Sequence, residues 1–210
     1  METSTADALK ERRIKMAKAI SIQEPYASLI ANGLKRYETR SRWNYKYRGE
    51  VYIHASTKIY DPKSEKTRKL MATINANIHP GYIVAKATLV AVYTQTDEMI
   101  RAIKEQMPFE YDAGFYEVGR KVIVLKNVQK LKRPIPAKGH LGVWDFDDTK
   151  VFWSENEHLI PVVKELLADG YDSYDDIMDE LKWQRGYCND TAERIARKVM
   201  DLQDIAAGHY

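Results

Sequence analysis

Short β-branched and aromatic runs, punctuated by Gly, Pro and Asn, fill the chain up to about residue 148, and a helical period of apolar positions takes over from Ser154. Ala19-Ile20-Ser21-Ile22 predicts a strand, and Pro25 suits the first turn of the helix after it. Tyr26, Leu29 and Ile30 lie at i, i+3 and i+4 on one face of that helix, and Asn32-Gly33 stops it. Lys35 to Arg40 reads as irregular or extended, and Gly49 to Ala55 alternates as a strand. Residues 61–78 predict a helix, after which Pro80-Gly81 turns the chain into a long strand from Tyr82 to Tyr93. A short helix over Glu98–Glu105 and a turn at Pro108 follow. Lys121 to Leu125 predicts a strand that Val128 to Leu131 continues past Asn127, and Leu141 to Phe146 predicts the last one.

Many short strands with few helices between them predict an α+β fold, a small mixed barrel or sheet with peripheral helices. The helical part carries three apolar stripes: Val162, Val163, Leu166 and Leu167; Ile177, Met178 and Leu181; Ala192, Ile195, Ala196, Val199 and Met200. Ser173 or Asp172 is placed to cap the second of these helices, with acids following that suit the helix dipole. Ahead of the first strand, residues 1–18 read as a polar leader with the basic cluster Lys10, Arg12, Arg13, Lys15 and Lys18. That leader is either a solvated helical arm or a nucleic-acid arm.

Charge divides the chain at the same place as the change of period. Residues 1–150 hold 27 Lys+Arg against 17 Asp+Glu, whereas residues 151–210 hold 6 against 13, so a +10 part precedes a −7 part within a net +3. Either the first part meets something anionic, or the acidic tail neutralises it across an internal interface. One cysteine, Cys188, excludes an internal disulfide framework and any multi-cysteine metal site. No apolar run approaches the ~20 residues that span a bilayer, and no apolar h-region marks a secretory signal. The expected setting is the cytoplasm, with no membrane partner, no metal and no cofactor.

The densest chemistry lies in Lys35–Arg48, KRYETRSRWNYKYR, where six of fourteen residues are basic and four aromatic. Lys35, Arg36, Arg40, Arg42, Lys46 and Arg48 offer phosphate contacts, and Tyr37, Trp43, Tyr45 and Tyr47 offer stacking faces. Trp43, Tyr45 and Tyr47 also alternate, so one or two of these rings are expected to pack inward. Glu38 is the lone acid, set between Lys35 and Arg40, which would pin it as an ionised acceptor for base edges, as a general base, or as a bracing salt bridge. His54 either faces a cleft or is a satisfied histidine at a strand end.

Several strings together resemble the ASCH domain family. They are Ile20-Ser21-Ile22-Gln23-Glu24-Pro25-Tyr26, the motif Gly33-x-Lys35-x-x-Glu38-x-Arg40, Arg48-Gly49 before Ile53-His54-Ala55-Ser56, and Pro136-x-Lys138-Gly139-x-Leu141-Gly142-x-Trp144. The resemblance covers about residues 17–148, leaving a basic N-terminal arm over 1–16 and an acidic helical extension over 149–210. It implies a PUA-like small β-barrel whose cleft receives Lys35, Glu38 and Arg40. Tyr26 stands where such domains often carry tryptophan, and Lys138 would line a facing wall.

The family resemblance further implies binding of RNA or other nucleic acid, here single-stranded RNA or a modified nucleotide. Tyr26, Lys35, Glu38, Arg40, Arg42, Trp43, Tyr45, Arg48 and Lys138 are the candidate contacts. Some bacterial relatives are amidohydrolases on N4-acetylcytidine and some are described as ribonucleases, so Lys35 and Glu38 are the catalytic candidates of a hydrolase alternative. In the amidohydrolases a threonine nucleophile stands where this chain has Glu38, so the hydroxyl chemistry is absent here. Asp97 and Glu98 are candidates for the glutamate that completes such a site. A third alternative is a protein-interaction module built on the acidic helices.

Overall fold

The computed structural model describes residues 16–207, so residues 1–15 of the expected basic arm lie outside the described residues. The chain divides into two compact units at Asp148/Thr149. In the first, β1 (Ala17–Glu24) leads through the short helix α1 (Tyr26–Ala31) to β2 (Tyr37–Arg40) and β3 (Gly49–Ile59). Then come α2 (Glu65–Thr73), β4 (Tyr82–Thr94), α3 (Asp97–Gln106), α4 (Pro108–Asp112), β5 (Lys121–Pro136) and β6 (Val143–Phe146).

The six strands form one mixed sheet in the order β2-β5-β4-β3-β1-β6, with β1 and β3 parallel and the other neighbours antiparallel. Among the described residues no ladder joins β2 to β6, so the hydrogen-bonded sheet is open there rather than closed into the expected barrel. β3 is central and covered on both faces. Val51, Ile53 and Ala55 enter the main core, while Tyr52 and His54 are buried on the opposite face beside Phe146 and Trp144. Burial therefore runs without interruption from Val51 to Ala55, where alternation predicts one solvated face.

α1 is apolar but for Ser28 and every one of its residues is buried, so it acts as a plug in the core with Ile20, Ile22, Leu89 and Leu125 rather than as a surface helix. Its entry is fixed by Glu24, whose carboxylate accepts from the Ser28 amide, the Ser28 hydroxyl and the His79 amide. Its exit is fixed by Gly33 at φ +73°, a conformation that glycine adopts without strain. The helix predicted over 61–78 is shorter, because Asn75 and Ala76 take positive φ and end it. Pro108 opens a helical turn instead of a simple turn. β5 runs unbroken to Pro136, with Asn127 at φ +50° absorbing a register shift against β4.

The second unit is helical: α5 (Thr149–Glu155), a 3-10 turn at Glu157–Leu159, α6 (Ile160–Ala168), α7 (Tyr174–Asp179) running into a π turn at Glu180–Gln184, and α8 (Asn189–Ala206). Its core joins all three apolar stripes, with Leu166, Ile177, Leu181, Ile195 and Val199 fully enclosed. Ser173 is the cap of α7, accepting from the Asp176 amide. No helix among the described residues is long and apolar enough to cross a membrane.

Candidate functional site

The first unit holds a cavity of about 890 Å³ bounded by β1, β2, the end of β3, the 113–120 loop and the 139–141 loop. Glu38, Thr39 and Arg40 reach it because β2 is an edge strand, paired on one side only, to β5. Arg40 Nε donates to Glu38 Oε1 at 2.7 Å, and Arg40 Nη2 donates to the Ser21 carbonyl at 2.5 Å. Arg40 therefore bridges β2 to β1 across the open side of the sheet. Glu38 is 7% exposed, and one of its oxygens is taken up by this pair.

Lys35 takes a different partner from the one its spacing implies. Its ammonium is 1% exposed and donates to Glu110 Oε1 at 2.7 Å, not to Glu38. Glu110, on α4, also accepts from the Arg36 amide at 2.6 Å and from the Tyr116 hydroxyl at 3.2 Å. Burial, and then the Glu110 charge, push the Tyr116 phenol far up, which keeps it a donor. Sequence reasoning missed Glu110; Asp97 and Glu98 instead begin α3 on the surface. The one local signal was an acid inside the aromatic string Phe109-Glu110-Tyr111, and its link to Lys35 spans 75 residues.

An aromatic wall lines the same cavity. Phe115 meets Tyr26 and Tyr60 edge to face and those two rings are tilted against each other, with ring centroids 4.9–5.9 Å apart. Phe115 is held there because its amide donates to Thr39 Oγ1 and its carbonyl accepts from the buried Gln95 side chain. Lys66 Nζ lies 4.6 Å from the Phe115 ring centre and donates to the Gly114 carbonyl, its pKa lowered by burial and by the Lys35 charge.

His54 forms part of the opposite wall, buried and satisfied. Its Nε2 faces the Ala137 carbonyl at 3.1 Å, which only accepts, so Nε2 carries the proton. Nδ1 then accepts from the Ser21 hydroxyl at 3.1 Å, and Ser21 Oγ accepts from Trp144 Nε1 at 3.3 Å. Burial lowers the His54 pKa, opposed by the Ala137 bond and aided by His140, which favours the neutral ring. Gly139 lies directly over this pair: a Cβ there would collide with the His54 ring and come 2.9 Å from Ser21 Oγ.

Of the nine candidate contacts, Tyr26, Lys35, Glu38 and Arg40 line the cavity. Arg42, Trp43, Tyr45, Arg48 and Lys138 do not. Trp43 and Tyr47 pack against the core, and Trp43 Nε1 donates to the Tyr45 carbonyl. Tyr45 is 41% exposed, edge-on to Trp43, with its ring against Gly142. Arg48 is exposed and donates to the Tyr45 and Tyr47 carbonyls, and Arg42 and Lys138 are exposed. Lys58 and Arg120, which sequence reasoning passed over, do line the cavity.

Comparison with known proteins gives a consistent picture. The model of the ASCH domain matches residues 20–135, more than half of the chain. "Activating signal cointegrator 1" from Homo sapiens is 30% identical over 141 residues, 61% of this chain, and its Mus musculus counterpart is 29% identical over the same length. The matched stretch spans 22% of each of those relatives. The crystal structure of ASCH from Zymomonas mobilis superposes with a TM-score of 0.41 at 14% identity, over 69% of this chain and 96% of that one. That superposition is too loose to transfer detail.

Proposed function

The chain belongs to the ASCH domain family, and from that premise we propose that it binds single-stranded nucleic acid, RNA first, through the cavity beside Glu38 and Arg40. One observation carries the reading: among the described residues Glu38 is the cavity's only lining carboxylate and is paired to Arg40, while Lys58 and Arg120 add positive charge beside the wall of Tyr26, Tyr60 and Phe115. Cations neutralise phosphates, and flat apolar rings receive an unstacked base. A duplex keeps its bases stacked and would offer this cavity only its backbone. Exposed Arg42, Tyr45, Arg48 and Lys138 would extend the path outside the cavity as backbone contacts.

The hydrolase alternative has less support, because Lys35 donates to Glu110 rather than to Glu38, and Glu38 stands where a hydroxyl nucleophile would be needed. A protein-binding role for residues 149–210 has one specific observation in its favour. Trp183 is 78% exposed on the π turn beside the acidic α7.

Fluorescence anisotropy with one labelled RNA, presented as a single strand and as a duplex, tests the main reading. Salt-sensitive binding that favours the single strand is the expected result. Equal affinity for both forms, or no binding by the full chain, would remove it.

A further inference from the structure

We propose that Leu141 is a wedge at the mouth of this cavity, holding an entering base apart from the next base of the strand; the inference deepens the nucleic-acid reading above and rests on it. Leu141 lines the cavity and is 92% exposed, the most exposed large apolar side chain among the described residues. It is the outermost residue of a loop that Gly139 and Gly142 bound.

A single exposed leucine is ordinary on a protein surface, and it is the mount that sets this one apart. At one end of the loop, a Cβ on Gly139 would overlap the His54 ring, and His54 is buried with Nε2 bonded to the Ala137 carbonyl. At the other end, Gly142 takes φ +72° and a Cβ there would overlap the Tyr45 ring. Tyr45 is itself set edge-on against Trp43, which packs on the main core. Between the two ends, the His140 ring lies 5.2 Å from that of Trp144. Both ends of the loop thus rest on rings held from behind, and Leu141 is carried out into solvent at the rim.

That rim is where a strand would break its stack. The path proposed outside the cavity runs over Tyr45 and Lys138, the neighbours of this loop, while the aromatic wall that receives a base lies inside. A base that enters has left the stack it shared with the next one, and the break falls between inside and outside. An apolar side chain inserted there replaces part of the lost base–base contact and takes its own surface out of water. A lysine or arginine at this position would reach phosphate instead and leave the gap between the bases unfilled.

The test uses the full chain and a short single-stranded adenosine oligomer carrying 2-aminopurine at one central position, a base whose fluorescence stacking quenches. Anisotropy of an end-labelled copy of the strand reports binding separately. At saturation, wild type should raise the 2-aminopurine emission severalfold. Leu141→Ala should melt at the wild-type temperature because the side chain is exposed, bind at most about tenfold more weakly, and give little of the rise. Leu141→Met keeps a long apolar side chain and should keep the rise. Wild-type binding without a rise, a rise of equal size in Leu141→Ala, or a rise lost from Leu141→Met would overturn the wedge and leave nucleic-acid binding standing. Loss of all binding in Leu141→Ala would make Leu141 a principal contact and overturn the wedge as well. No binding by wild type would overturn both.

Discussion

The buried pair Lys35–Glu110 supports the most quantitative prediction. Lys35 is 1% exposed and Glu110 5%, and their charged atoms lie 2.7 Å apart. The pair is asymmetric. Without Lys35, Glu110 keeps the Arg36 amide and the Tyr116 hydroxyl as donors; without the Glu110 charge, the Lys35 ammonium keeps no other bonded partner among the described residues. Removing one partner of a buried ion pair costs about 3–5 kcal/mol, because the other charge stays behind in a medium that solvates it poorly. Glu110→Gln should sit at the upper end of that range and Lys35→Met below it. At about 2–4 °C per kcal/mol for a chain of this size, the Glu110→Gln melting temperature should fall by about 10–20 °C. The double variant Lys35→Met/Glu110→Gln, with no charge left, should recover much of the loss. Urea unfolding followed by circular dichroism reads all three. A Glu110→Gln variant within about 0.5 kcal/mol of wild type, the ordinary scatter of surface changes, would refute the reasoning and return Lys35 to the list of ligand contacts.

Three further outcomes are expected. His54 has a folded pKa below its ordinary 6.5, so stability is complete above pH 6.5 and is lost as the pH falls through that value toward the folded one, with a slope of at most about 1.4 kcal/mol per pH unit. Urea midpoints across that window should show the loss in wild type and less of it in His54→Asn, and identical profiles would contradict the assignment. Lys58→Ala removes an exposed cavity cation whose side chain makes no hydrogen bond or ion pair among the described residues, and should reduce the salt slope of single-strand binding by about 0.7 with stability unchanged; an unaltered slope would exclude Lys58 from the path. Gly139→Ala places a methyl on the His54 ring and should cost about 1–3 kcal/mol in urea unfolding, whereas a neutral effect would mean that the 139–141 loop yields freely.

Local chemistry explains what was legible in the sequence. The strand at Gly49–Ala55 and the stop at Gly33 depend on neighbours within a turn or a strand, and both are found where the pattern predicts them, although Val51 to Ala55 are buried on both faces. The three apolar stripes after Ser154 likewise converge on one core. What escaped was long-range. Glu110 reaches Lys35 across 75 residues, and Arg120 enters the cavity only because Thr39 and Gln95 hold the preceding loop against β2 and β4. Spacing set Lys35 beside Glu38 as a phosphate contact, but burial made it half of an ion pair with Glu110. Trp43 and Tyr47 pack against the core, in keeping with the inward packing that the alternation of Trp43, Tyr45 and Tyr47 predicts for one or two of these rings.

The central claim is that a nucleic-acid strand enters the cavity beside Glu38 and Arg40, and photo-crosslinking tests it most directly. A single-stranded RNA carrying 4-thiouridine would be irradiated with the full chain and the adducts located by mass spectrometry. The account predicts adducts on the peptides of Tyr26, Tyr60 and Phe115, suppressed by excess unlabelled single strand. Adducts confined to α2 or to residues 149–210, with none on those three peptides, would contradict it.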